Sequence, residues 1–70
     1  MRYSLCKTTT PRGVRYYANS RRVSKETYHD IKNAGTLDTF FGGIKGRNGA
    51  VHDYCESNVS ASMRKTFNLP

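Results

Sequence analysis

The sequence predicts an α+β fold. A small antiparallel β-sheet, built as a hairpin and meander over residues 3–23, packs on one short α-helix at 25–33, and a second hairpin forms around Asn48-Gly49. Three observations carry that reading. Thr10-Pro11-Arg12-Gly13 and Asn19-Ser20 are turn signals that divide a stretch rich in aromatic and β-branched residues. Ser24, followed by Glu26 and by apolar Tyr28 and Ile31 three apart, has the pattern of a capped helix. Asn48-Gly49 is the dipeptide that most strongly favours a two-residue hairpin turn.

The elements follow in order. Pro11 presets φ for the first turn position and Gly13 supplies a positive φ, which predicts a three-residue loop with a bulge, joining strands at 3–9 and 14–18. Asn19-Ser20 closes a second, two-residue turn into a short strand at 21–23. The helix from Lys25 begins behind the Ser24 cap, with Glu26 in its first turn where the macrodipole favours an acid, and Ala34-Gly35 ends it. Residues 36–41 form a turn or strand that sets one of Phe40 and Phe41 in the core and leaves the other at the surface. A returning strand at 51–55 follows the Asn48-Gly49 turn. Val59, Met63 and Phe67 fit a helix, and Val59, Ala61, Met63 and Phe67 fit a strand, so periodicity leaves 58–67 open. With no repeat, linker or low-complexity tract, the chain reads as a single compact basic domain over 1–70.

Charge is the most informative feature. Twelve Lys and Arg stand against five Asp and Glu, a net charge of +7 with a pI near 9.9. Residues 1–25 hold seven of the basic residues and no acid, whereas the remainder balances five against five, so the whole excess lies in the first third of the chain. A basic excess confined to one structural unit points to a polyanionic partner.

The turn assignments predict which residues share a face. Pairing Thr10 with Val14 sets Thr8 opposite Tyr16 and Cys6 opposite Ala18, while the second turn sets Tyr17 opposite Arg22 and Tyr16 opposite Val23. One face then carries Cys6, Val14, Tyr16, Ala18 and Val23 against Tyr28 and Ile31. The other carries Lys7, Thr9, Arg15, Tyr17 and Arg22. Three cations around one tyrosine suit phosphates and a stacked base. Leu5 falls on this basic face with Tyr3 beside it, to be covered by the carboxy-terminal segment. The bland alternative is a solvated sheet face whose cations only keep the edge soluble, but like charges placed across strands oppose each other with no acid nearby in sequence to relieve them.

Tyr16-Tyr17, Asn19, Arg22-Val23-Ser24-Lys25-Glu26 and Tyr28 resemble a hairpin-into-helix segment of short phage and viral proteins. The resemblance covers residues 14–30 and implies a viral origin. It carries no functional residue, and Asn19-Ser20 stands where the usual turn is Asn-Gly.

Other constellations are weaker. Gly46-Arg47-Asn48-Gly49 matches a GxxG backbone clamp in four residues, yet reads first as a turn that exposes Arg47. His52, Asp53 and Cys55, with Cys6 and His29, lack the paired short spacings of a structural zinc site, and nothing local activates a thiol. The expectation is no metal, no cofactor and no enzyme. MRYSLCKTTT is too polar for a signal peptide, no segment is long and apolar enough to span a membrane, and an intracellular protein with two reduced thiols follows, cytoplasmic in a host cell if viral. A Cys6–Cys55 bond, if formed, would add roughly 4 kcal/mol by closing its loop.

Two functions fit. The first is a small nucleic-acid-binding protein of low sequence specificity, RNA or DNA, using Lys7, Arg15, Tyr17 and Arg22 with Arg12 and Arg47 extending the surface. The second is a virus- or phage-encoded inhibitor or accessory factor whose basic face docks on an acidic surface of a host protein or nucleic-acid-handling complex, anchored by Phe40 or Phe41. The open edge of the short third strand also offers a route to a homodimer.

Overall fold

The computed structural model describes residues 1–69, and the fold is α+β. Five antiparallel strands, β1 (Arg2–Thr10), β2 (Gly13–Ala18), β3 (Arg21–Val23), β4 (Thr36–Lys45) and β5 (Val51–Asn58), form one sheet in the order β3-β2-β1-β5-β4. Helix α1 (Lys25–Ala34) carries the chain from β3 at one edge to β4 at the other, and α2 (Ala61–Thr66) follows β5. The two hairpins therefore share one sheet, joined through β1 and β5.

Local signals act where expected. Ser24 Oγ accepts from the Thr27 N–H at the start of α1. Asn19 and Ser20 both take positive φ, 50° and 66°, the geometry that matches the twist of the flanking strands. Asn48 and Gly49 do the same at 58° and 76°, and the Ala50 N–H closes that turn on the Arg47 carbonyl. The open stretch 58–67 resolves as the end of β5 at Asn58 followed by helix α2 at Ala61–Thr66, with Ser60 Oγ capping α2 through the Met63 N–H. Gly35 ends α1 for a reason other than left-handed geometry. A Cβ there would lie 2.6 Å from the Asn58 carbonyl oxygen, so glycine lets α1 meet β5.

The first hairpin corrects the expected register. Thr10 pairs with Gly13, not Val14, and the loop is the two residues Pro11-Arg12. Thr10 Oγ1 accepts from the Arg12 N–H and donates to the Gly13 carbonyl, fastening the shorter turn. The one-residue difference turns β1 over relative to β2. Leu5 and Tyr3 enter the core at 1% and 2% exposure, Cys6 and Thr8 move to the opposite face, and Lys7 moves to the helix side. The β2–β3 register of Tyr16 with Val23 and Tyr17 with Arg22 is the expected one.

Tyr3, Leu5, Ala18, Tyr28, Ile31, Ala34, Cys55 and Val59 make the core, with Tyr16, Val23, Met63 and Phe67 packed against it. Ser57 Oγ donates to the Ile31 carbonyl at 2.8 Å, tying α1 to β5 inside the core. Val14 was expected inside, but it stands one row beyond Tyr16 toward the turn and is 42% exposed. Phe40 and Phe41 are both exposed, at 66% and 59%, so neither fills the core. The cause is local: β4 shifts register against β5 on both sides of Phe41, with Thr39 and Gly43 at positive φ, and this carries both rings outward. A second copy pairing at a sheet edge would meet either the three residues of β3 or this twice-shifted strand. Among the described residues, no helix is long and apolar enough to cross a membrane.

Candidate nucleic-acid interface

The helices and the core occupy one side of the sheet, and the other side is the candidate site. Register alone brings its residues into rows. Arg22, Tyr17, Cys6, Tyr54 and Phe41 lie across all five strands as successive partners. One row toward the turns stand Arg15, Thr8, His52 and Ile44. A hollow of about 580 Å³ lies over these rows, lined by Arg15, Tyr17, Arg47, His52 and Tyr54 above the small side chains of Cys6 and Thr8.

The floor is held by hydrogen bonds. Thr8 Oγ1 and His52 Nδ1 are 2.9 Å apart, and the Cys6 thiol is 3.5 Å from Thr8 Oγ1. The His52 and Tyr54 rings stand 6.0 Å apart between centroids, a tilted pair along one face of β5. The Cys6 thiol beside Tyr54 raises the pKa of its phenol above the ordinary value, chiefly because a thiolate there would repel a phenolate, with desolvation and their hydrogen bond adding to the effect. Tyr54 therefore presents a neutral ring and hydroxyl at physiological pH.

A second hollow, about 430 Å³, lies between the two hairpin turns and is lined by Arg12, Arg15, Arg47, Thr10, Pro11, Asn48 and Ala50. The turns pack side by side, since a Cβ on Gly49 would lie 3.6 Å from the Pro11 ring. Thr10, Arg15, Arg47 and Ala50 line both hollows, so the two are continuous. Among the described residues, no Asp or Glu lines either one. The acids of this face, Asp38 and Glu56, lie toward the far end and are both held by Arg2. Positive charge near the turns is thus left uncompensated.

The expected residues divide accordingly. Arg15, Tyr17 and Arg22 share the open face, and Arg47 joins Arg15 from the opposite hairpin. Arg12 caps the turn end. Lys7 does not belong: it lies half-buried on the helix side, with Tyr16 and Asp53 as its strand partners. Phe41 ends the row through Tyr17 and Tyr54, and Phe40 is exposed on the same strand. His52 and Tyr54 are the residues that sequence reasoning missed. Their alternation was visible in Val51-His52-Asp53-Tyr54-Cys55, but not the strand they would pair with.

Cys6 and Cys55 are free and stand on opposite faces, because Cys55 partners Leu5 and faces the core. Comparison with protein-family models, curated proteins and solved structures finds no match for the chain.

Proposed function

We propose that the protein binds nucleic acid, with little sequence specificity, on the helix-free face of its sheet. One observation carries this reading: arginines from both hairpins surround a floor of half-buried Tyr17 and His52 and exposed Tyr54 from which carboxylates are missing among the described residues. Guanidinium groups neutralise phosphates and release their counterions, which supplies affinity without reading sequence. Rings facing solvent on a sheet accept the π-face of any base. No catalytic step is part of this reading, and no cofactor is needed for it.

The test is salt dependence. In a mobility-shift or anisotropy titration against duplex DNA, log K should fall linearly with log salt. Replacing Arg12, Arg15 and Arg47 together with glutamine should flatten that slope by about two to three, because each phosphate contact contributes about 0.9. The three side chains are exposed, so the variant keeps the wild-type melting temperature. An unaltered slope in the folded variant rules these arginines out.

A second reading rests on a different observation, the exposed Phe40, Phe41 and Ile44 on β4. In it the protein is a virus-encoded inhibitor or accessory factor, with an aromatic anchor on β4 and arginines against an acidic host surface. Capture of a host protein from nuclease-treated lysate, lost in Phe41→Ala and weakened in the arginine variant, would favour it.

A further inference from the structure

Resting on the nucleic-acid reading, we infer that the ligand is single-stranded and is held in two parts: unpaired bases on Tyr17 and Tyr54 in the larger hollow, and the phosphate backbone in the arginine hollow between the turns. The rings lie in the larger hollow and the arginines gather toward the turns, with Arg15 and Arg47 shared by both, along one continuous path. Tyr17 and Tyr54 flank Cys6 on neighbouring strands, so they stand two strand spacings apart, about 10 Å. That separation is too great for one base to lie between them and suits one base on each. Cys6, small and between the rings, and Thr8 in the next row toward the turns leave the room a base needs.

A duplex cannot use such a floor. Its bases are stacked on each other and offer only edges in the grooves, so the faces that Tyr17 and Tyr54 require are hidden. Arg12, Arg15 and Arg47 lie toward the turn end of the rings, with Arg22 beside Tyr17 in the ring row, as expected if a strand leaves the floor and continues between the turns. His52 adds to the floor, its ring held against Thr8 and tilted toward Tyr54. DNA and RNA share the chemistry used here, a base face and a phosphodiester.

The test is a set of labelled strands of about ten nucleotides, within the span of a small site: oligothymidylate, oligouridylate, an abasic deoxyribose-phosphate strand, and a duplex of equal length. Tighter binding of either base-bearing single strand than of both the abasic strand and the duplex, by about tenfold or more, is expected. Tyr54→Ala and Tyr17→Ala should each weaken the base-bearing strand by roughly five- to 150-fold and leave the abasic strand unchanged. Tyr54→Phe, which keeps the ring, should retain binding and guards against a folding defect in the alanine variant. Equal affinity for the abasic strand, or for the duplex, overturns the inference and leaves general nucleic-acid binding standing. Failure of all four probes to bind at low salt overturns the nucleic-acid reading itself.

Discussion

The two faces of the sheet are built from the same residue types put to opposite use. Tyr3, Tyr16 and Cys55, joined by Tyr28 from α1, stand on one side, and Tyr17, Tyr54 and Cys6 on the other. Inside, Tyr16 and Tyr28 meet at 4.8 Å between ring centroids, Lys32 lies over the Tyr28 ring, and Cys55 is buried among them. Outside, Tyr17 and Tyr54 face solvent on either side of Cys6. The difference is what stands opposite. Helix α1 supplies buried Tyr28 and packs it on half-buried Tyr16, which makes these rings part of the stability of a small domain, whereas no helix lies over half-buried Tyr17 and exposed Tyr54 among the described residues. Rings set beside uncompensated arginines, with no helix over them, are why we read the open face as a binding surface.

Stability should therefore respond to one face and binding to the other. The largest effect is expected at Leu5, at 1% exposure in the middle of the central strand. Leu5→Ala should cost about 2–5 kcal/mol, a large part of the roughly 4–10 kcal/mol open to a domain this small. Urea unfolding measures it, and a loss below 1 kcal/mol would mean that β1 does not sit in the described register.

Alkaline pH should act through the inner face next. Burial, and then the charges of Cys55, Asp53, Cys6 and Tyr16, push the Tyr28 phenol from its ordinary value near 10 up to about 12. Burial also raises the Cys55 thiol, partly offset by Lys32 and by the hydrogen bond from Tyr28. The folded protein thus keeps protons that the unfolded chain has already released. Stability is full below about pH 9 and should fall as pH rises toward about 12. Melting temperatures across that range, for the wild type and Tyr28→Phe, check it. The variant should lose the part of the decline between about pH 10 and 12.

The cysteines give a smaller but sharper contrast. A thiol reagent at neutral pH should modify Cys6, which lines the open hollow, and spare Cys55 until the fold opens. Under denaturing conditions both should react. Equal rates in the native protein would erase the distinction between the faces. The smallest effect is expected for Tyr17→Ala, which should change stability by no more than about 0.5 kcal/mol because its side chain serves no core contact. A larger loss would make Tyr17 structural.

How much of this was legible in the chain depends on the range of the signal. The Asn19-Ser20 and Asn48-Gly49 turns, the Ser24 cap and the helix behind it were readable, because each depends on residues within four positions of one another. So was the pairing of Tyr17 with Arg22. The face of β1 was not, since alternation fixes which residues go together but not which way they point. A two-residue and a three-residue loop at Pro11 differ by one step and exchange every side chain. The hint was Leu5 and Tyr3, which the longer loop placed on or beside the basic face and which then needed the carboxy-terminal segment to cover them.

Taken alone, the sequence determined an α+β chain with these turns, this helix start and a basic first third. Tertiary structure decided the rest. Burying Leu5 and Tyr3 against α1 and β5 is favourable by roughly 1.5–3 kcal/mol for each large side chain, and it selected the shorter turn. With β1 turned that way, Lys7 left the open face and Cys6 and Thr8 became its floor. Pairing β5 with β1 then brought His52 and Tyr54, some forty-six positions from Thr8 at the farthest, beside Arg15 and Tyr17. No local pattern could do this, because the free energy that sets the register is released only when distant elements close on the same core.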